Sequence, residues 1–328
     1  MAERPVRRPA GPEVVHVGSA CRDIAPDDPR GWRLGGGVTY ATLTTARLGL
    51  RTAAVVGVDR EAHNASELDL IRAAGADLIL VPLDEGPIYH NVETDAGRVQ
   101  TCVQPGVPLP IPPLPESWQA APAWELAPVA GEIEDAWAAA IPSGAYVGVA
   151  WQGFLRTLIA GTTVARRPPV ASPILRRADL VGVSHRDVDP ATPIAALTAL
   201  LKPGSRLVVT RGEEGGLVLV TGGSGPDAVL RYGLTPSDRE VDPTGAGDTF
   251  LAALVSTVVH HTLGGRRSDR AHPELRFAAA AGALVVEGHG LAAVPDRGAV
   301  LARMVRDRIK RAVSPATVGR VGADVIEH

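Results

Sequence analysis

The most informative segment of the sequence is Val241-Asp242-Pro243-Thr244-Gly245-Ala246-Gly247-Asp248-Thr249-Phe250. The apolar residues that follow have the spacing of a helix with one buried face: Phe250, Leu251, Leu254, Val255, Val258 and Val259. The small residues Gly245, Ala246 and Gly247 therefore lie at a helix N-terminus, where the first backbone N–H groups have no partner and the helix dipole is positive. Small side chains let an anion approach those groups closely.

Asp248 falls in the first turn of this helix, beside the predicted anion site. A carboxylate there can accept the proton of a substrate hydroxyl while the N–H groups hold a transferring phosphoryl group. The alternative is structural, with Gly-Ala-Gly forming a tight turn and Asp248 capping the helix, since Asp is a favoured N-cap residue. The isolated motif leaves both interpretations open.

Short apolar runs and helical stretches alternate through much of the chain. The predicted strands cover 14–18, 52–58, 78–81, 146–150, 180–183 and 207–210. Predicted helices include 38–48, which follows the glycine cluster at 35–37, and 194–201. This alternation favours a mostly parallel sheet covered by helices.

Two segments interrupt the alternation. Residues 88–103 alternate in polarity on both sides of a turn at 95–97, which predicts a hairpin with one more polar face, outside the core. Residues 104–115 are rich in proline and cannot form a helix or a central strand. Composition predicts a surface loop at 264–270 and tails at 1–12 and 313–328.

Composition excludes several classes of protein. The chain has 328 residues and 45% hydrophobic residues, which suits one large α/β core. A net charge of -3 argues against a general nucleic-acid or anionic-membrane binder, although it leaves a local phosphate site open. Cys21 and Cys102 are too few for a disulfide framework or a four-cysteine zinc site. Without a signal peptide or an apolar run of about 18 residues, we expect a soluble cytoplasmic protein.

Three other motifs are set aside. The two lysines, Lys202 and Lys310, do not lie in the Gly-Lys-Ser/Thr of a P-loop. Residues 288–293 match a dinucleotide-binding pattern only nominally, because they follow an alanine-rich helical run and not a strand. His260 and His261 are about 100° apart on a helix and cannot face one metal ion.

The segment at 242–250 resembles the C-terminal signature of the ribokinase-like (PfkB) carbohydrate kinases. The resemblance extends over roughly residues 14–295 in the family's order. It includes the opening strand at 17–23, the N-terminal signature at 35–59, the strand and loop at 208–216, and an antiparallel lid segment at 88–103. It implies a three-layer α/β/α fold with a mostly parallel central sheet and a small β lid. One kinase domain is then expected at 13–312, with lid segments near 18–40 and 87–104.

The resemblance also assigns roles to residues. It implies an ATP-dependent kinase of a sugar, polyol or nucleoside hydroxyl, with Asp248 as the base. Backbone groups of Gly245, Ala246 and Gly247 would form the anion hole. The substrate-side candidates are Asp23, Gly36, Gly37, Tyr40, Glu132 and Arg156. The nucleotide-side candidates are Ser184, Thr210, Gly212, Gly215 and Gly247.

The implied cofactors are ATP and Mg²⁺, with Asp187 as the candidate magnesium residue. Asp242 is a candidate carboxylate beside a monovalent cation such as K⁺, as in some relatives. The implied partner is a small hydroxyl substrate, with a homodimer formed through the lid as a further expectation.

The sequence departs from the family pattern at two places, which leaves alternatives open. Tyr40 stands where the family usually has Asn, and 184–187 reads Ser-His-Arg-Asp in place of Asn-x-x-Glu. A non-catalytic sugar or nucleotide sensor of the same fold is one alternative. A vitamin or pyrimidine kinase is another, although those relatives often lack the lid.

Overall fold

The structure is a computed structural model that describes residues 11–94, 97–222, 226–264 and 273–312. Most of the predicted tails, at 1–10 and 313–328, lies outside the described residues. So do 95–96 of the predicted hairpin turn and 265–270 of the predicted surface loop.

The strands are numbered in chain order. They are β1 Val14–Ser19, β2 Cys21–Ile24, β3 Trp32–Gly35, β4 Thr52–Val58, β5 Asp77–Pro82, β6 Ile88–Thr94, β7 Gly97–Gln104, β8 Ala123–Leu126, β9 Tyr146–Ala150, β10 Arg156–Thr157, β11 Thr162–Thr163, β12 Ala165–Arg166, β13 Leu180–Ser184, β14 Arg206–Thr210, β15 Gly216–Thr221 and β16 Pro226–Tyr232.

The helices are numbered in the same way. They are α1 Gly37–Arg47, α2 Ser66–Ala73, α3 Glu116–Gln119, α4 Trp137–Ala140, α5 Pro173–Arg177, α6 Ile194–Thr198, α7 Ala246–Gly264, α8 Pro273–Val285 and α9 Arg297–Ala312. Single 3-10 turns occur at Ala62–Asn64, Gln152–Leu155, Gly212–Glu214 and Gly290–Ala293.

The main sheet has nine strands in the order β16-β15-β14-β13-β9-β8-β1-β4-β5. The strands from β14 to β5 are parallel to their neighbours, whereas β15 and β16 are antiparallel. β1 and β4 are buried along their whole length, as expected of parallel strands covered on both faces.

Helices cover both faces of this sheet. Residues of α1, α2, α7, α8 and α9 form one hydrophobic core with it, and residues of α3, α4, α5 and α6 form a second core on the opposite face. The predicted three-layer α/β/α arrangement is confirmed. Among the described residues, no helix combines the length and apolar character that crossing a membrane requires.

A smaller five-stranded sheet, called the lid sheet below, has the order β11-β7-β6-β2-β3. It contains the predicted hairpin, with β6 and β7 antiparallel, and β2 runs parallel to β6. One face lies toward a cavity. The other face exposes Val92, Val99 and Val103, which a second copy could cover. The homodimer stays a prediction that sedimentation velocity can test.

Candidate active site

A cavity of about 850 Å³ lies between the lid sheet and one edge of the main sheet. The edge is that of the carboxyl ends of parallel strands, since Ala150, Ser184 and Thr210 end β9, β13 and β14 and line the cavity. Ligands of open α/β sheets bind outside this edge. From the lid sheet, Asp23, Arg98 and Gln100 contribute to the opposite wall.

Asp248 lies in the first turn of α7 and lines the cavity. Its carboxylate is close to α1, because a Cβ added to Gly37 would lie 2.8 Å from Asp248 Oδ1. Burial, with the neighbouring charge of Glu125, raises the pKa of Asp248 to about 6, against the opposing charge of Arg156. A carboxyl with this pKa is ionised at neutral pH and more basic than an ordinary aspartate, as a general base requires.

The loop before α7 has the open backbone that an anion site needs. Gly245 has a φ of 79°, and a Cβ there would lie 2.2 Å from the Tyr40 ring, so a larger residue would be strained and would clash. Gly247 is exposed, with nothing within 4 Å of an added Cβ. Gly245, Ala246 and Gly247 all line the cavity.

Asp23 lies at the lid end of the cavity in a hydrogen-bonded row of side chains. Gln100 Nε2 donates to Asn91 Oδ1 (2.7 Å), and Asn91 Nδ2 donates to Asp23 Oδ1 (3.0 Å). Burial raises the pKa of Asp23 to about 6, although the charge of Arg98 and the Asn91 hydrogen bond oppose it. Asp23 is therefore held in one orientation by β6 while its charge remains near the cavity.

Four other substrate-side candidates line the same end: Gly36, Gly37, Tyr40 and Arg156. Tyr40 is buried and packs on Gly245, so it both fills the core beneath α1 and forms part of the cavity wall. Arg156 Nη1 donates to the carbonyl of Val129 (3.1 Å), and its guanidinium carbon lies 5.6 Å from the Tyr89 ring centre.

Glu132 is not among the cavity-lining residues. Its buried carboxylate accepts the backbone N–H groups of Ser19 (2.8 Å), Val129 (3.1 Å) and Ala130 (2.8 Å). These bonds fix the loop after β8 against the end of β1. Glu132 thus lies behind the cavity wall, where it holds Val129, whose carbonyl accepts a hydrogen bond from Arg156.

The nucleotide-side candidates lie at the far end of the cavity. Ser184, Thr210, Gly212 and Gly215 all line it. Gly215 has a φ of 81°, and a Cβ there would lie 2.1 Å from the carbonyl oxygen of Tyr232. This close approach of two backbones requires glycine.

The two metal candidates occupy different surroundings. Asp187 lines the cavity, where it accepts Gln152 Nε2 (3.1 Å) and the backbone N–H of Ser184 (3.3 Å). Asp242 precedes the anion loop and accepts the backbone N–H of Thr244 (2.9 Å). Burial alone would raise the pKa of Asp242, but the Thr244 hydrogen bonds and the charge of Arg98 lower it. Across the described part of the chain, no group of three or more His, Cys, Asp or Glu side chains is placed to hold a metal ion.

Comparison with known proteins supports the sequence resemblance. Residues 177–297 match the model of the pfkB family carbohydrate kinases. A ribokinase of Arabidopsis thaliana is 35% identical over 98 residues, which are 29% of this chain and 23% of that protein. The resemblance to the ribokinase-like (PfkB) family is confirmed. The chain thus matches less than a quarter of the length of this curated relative.

Solved ribokinase-family structures share the fold over most of the chain. A pyrophosphate-dependent kinase in complex with a pyrophosphate analog and myo-inositol has a TM-score of 0.66 at 18% identity, over 88% of this chain and 99% of its own. A nucleoside kinase of Methanocaldococcus jannaschii has a TM-score of 0.65 at 16% identity, over 90% and 100%. Arabidopsis thaliana ribokinase with ribose and ATP has a TM-score of 0.62 at 20% identity, over 90% and 99%. At these identities the likeness shows the fold alone.

Sequence reasoning missed several residues of the cavity. Asn91, Arg98 and Gln100 come from the hairpin, and only their alternation with outward-facing residues could have indicated them. Tyr232 lines the cavity and stacks on Phe250 with ring centres 5.4 Å apart. Nothing in the local sequence of β16 predicts that pairing.

Proposed function

We propose that this protein is a kinase that transfers the γ-phosphoryl group of ATP to a hydroxyl of a sugar, polyol or nucleoside. The observation that carries the proposal is the position of Asp248, in the first turn of α7 beside the glycine-containing loop and inside one continuous cavity. The cavity has a carboxylate, Asp23, at one end and the predicted nucleotide residues at the other. This arrangement supports an acceptor and a donor meeting at Asp248.

In the proposed reaction the acceptor hydroxyl faces Asp248, which takes its proton as the oxygen attacks the γ-phosphorus. The bond from the γ-phosphorus to the bridging oxygen of ADP breaks, and ADP leaves. Backbone N–H groups at the start of α7 stabilise the charge on the transferred group. Phosphoryl transfer needs alignment and charge neutralisation more than covalent help, so these two parts supply much of the catalysis.

Acceptor recognition falls to the lid end of the cavity. Asp23 accepts hydrogen bonds from acceptor hydroxyls, and Asn91 keeps its carboxylate in place. Solved relatives carry ribose in one case and myo-inositol in another, which supports a small polyhydroxylated acceptor.

Donor recognition falls to the other end. Apolar side chains there, including Leu234, Ala283 and Val286, give a base a surface to pack on. The complex of Arabidopsis ribokinase with ATP supports the same donor here. Because one structural relative is a pyrophosphate-dependent kinase, the assay should also include pyrophosphate as an alternative phosphoryl donor.

The residues present fit a magnesium ion carried by the donor. Mg²⁺ ordinarily uses one or two protein carboxylates, with waters and substrate phosphates completing its shell, and Asp187 supplies one carboxylate on the cavity wall. When bound, the ion would neutralise phosphate charge. Hydrogen bonds from Gln152 and from the Ser184 N–H fix the orientation of the Asp187 carboxylate.

The direct test is ADP formation by the purified protein with ATP and a panel of sugars, inositols and nucleosides. We expect acceptor-dependent turnover with at least one class. Tight binding of an acceptor and ATP without turnover would favour the sensor, and turnover only with vitamins or pyrimidines would favour that kinase branch.

The pH dependence of kcat/KM should show the raised pKa of Asp248. A base with a pKa of about 6 is ionised above that pH and protonated below it, so kcat/KM should be level near pH 8. It should fall below pH 6 and approach a limiting slope of about tenfold per pH unit. Circular dichroism at each pH controls for unfolding. Constant kcat/KM down to pH 4.5 would show that Asp248 is not the titrating base.

The lid sheet should be more protected from hydrogen exchange when an acceptor is bound. Its hairpin has a polar face and packs on a small cluster of Cys21, Tyr89, Cys102 and Val129, so local opening should cost little. We expect slower exchange in β6 and β7 with acceptor and no change in the buried β4. Equal exchange of the hairpin with and without acceptor would exclude a lid that closes on substrate.

A further inference from the structure

Arg98 joins the lid sheet to the loop that precedes the anion site. It lies on β7, and its Nη2 donates to Thr244 Oγ1 (3.1 Å) and lies 3.6 Å from Asp242 Oδ1. The contact spans 146 positions of sequence. Thr244 immediately precedes Gly245, so the guanidinium contacts the same loop that carries the anion site.

The sequence resemblance implies a monovalent cation beside Asp242. In the structure a guanidinium contacts Asp242, the carboxylate predicted to lie beside that cation, and also the side chain of Thr244 in the same loop. A guanidinium carries a full positive charge at every physiological pH and donates directional hydrogen bonds to oxygen. Asp242 is about one-fifth exposed and Arg98 about 28%, so solvent screens the pair only in part.

We propose that Arg98 takes the place of the free monovalent cation, so that the positive charge beside the anion loop is supplied by the lid. The residues therefore do not fit the expected K⁺ site while Arg98 is in place. The inference rests on the proposed kinase function for its effect on turnover, but the contact itself does not depend on it.

Placing the charge on the lid links acceptor binding to the anion site. Arg98 lines the cavity, and its charge also acts on Asp23 at the acceptor end. A dissolved ion would reach Asp242 whether or not an acceptor is bound. A cation on β7 reaches it only when the hairpin is in the position seen here, so closure of the lid completes the anion site.

The activity test compares potassium chloride with tetramethylammonium chloride at one ionic strength. Wild-type turnover should be equal in the two salts. Arg98→Ala should lose roughly 10- to 100-fold in kcat/KM without K⁺, the cost of a charge-assisted hydrogen bond, and should recover part of it with K⁺. Arg98→Lys should stay independent of K⁺.

The control variant is Arg33→Ala. It removes another lid arginine, which pairs with Asp27 outside the cavity, and should behave as wild type. Severalfold activation of the wild type by K⁺ would overturn the proposal.

Binding of thallium(I), a K⁺ mimic, gives a readout that needs no kinase activity. Arg98→Ala should gain a Tl⁺ site by equilibrium dialysis, the wild type should lack it, and Arg98→Ala/Asp242→Asn should lose it. A Tl⁺ site in the wild type that Asp242→Asn removes would overturn the proposal, as would no gain in Arg98→Ala. Absence of turnover under every condition would refute the kinase function, while the thallium result would still decide the role of Arg98.

Discussion

Asp248→Asn should lower kcat by at least roughly 100-fold, because loss of a general base typically costs about 10²–10⁴ in rate. Asn has nearly the same volume as Asp and can still accept hydrogen bonds at a helix N-terminus, so the variant should stay folded. ATP should still bind, since the backbone N–H groups are unchanged, and loss of one negative charge near the phosphates can tighten it. Steady-state kinetics and ATP titration measure the two effects.

The control for this variant is Asp69→Asn, which changes an exposed carboxylate on α2 and should leave kcat unchanged. Near-normal kcat in Asp248→Asn would remove Asp248 as the base. An unfolded Asp248→Asn protein would instead show that the carboxylate itself is required for the fold.

Asp23→Ala should raise the KM of the acceptor by about tenfold or more, the expected cost of a lost charge-assisted hydrogen bond. The KM of ATP should change little, because Asp23 lies on β2, directly after β1, whereas Thr210 ends β14, four strands away from β1 in the main sheet. Kinetics with each substrate varied in turn separate the two constants.

Asp27→Ala is the matched control, since Asp27 is an exposed aspartate between β2 and β3 whose partner is Arg33. It should leave both KM values unchanged. If Asp23→Ala weakened ATP binding and left acceptor binding normal, Asp23 would act on the nucleotide and not on the acceptor. That result would contradict our assignment.

The fold could be predicted where local sequence determines local structure. The apolar runs of β1 and β4 and the helical spacing after Asp248 reflect periodic burial, which sequence records directly. The predicted helix at 194–201 was less accurate, since α6 ends at Thr198. Residues 202–203 are Lys-Pro, and the last turn before a proline does not hold helical geometry well.

The candidate site was predictable only in part, because its contacts are long-range. Sequence indicated Asp248 and its glycines, which form one continuous segment. It could not show that Arg98 reaches Thr244, since no local pattern encodes that pairing. It could not show that the Glu132 carboxylate is buried and accepts three backbone N–H groups, because a charged residue on a loop is more often exposed.

Tyr40 illustrates a question that sequence left open and packing answers. Its position after Gly36 and Gly37 fitted either a core residue or a wall of the substrate cavity. The ring does both, because it is buried beneath the loop and also borders the cavity against Gly245. Its role in choosing the acceptor stays a prediction.

The central claim is that the γ-phosphoryl group of ATP moves to an acceptor hydroxyl at Asp248. The most direct test incubates the wild-type protein with ATP labelled in the γ-phosphoryl group and with the best acceptor of the panel, then follows the label by mass spectrometry. We predict one label on the acceptor for each ADP formed, and almost none with Asp248→Asn. Label released only as inorganic phosphate, or retained in ATP beside a tightly bound acceptor, would contradict the account.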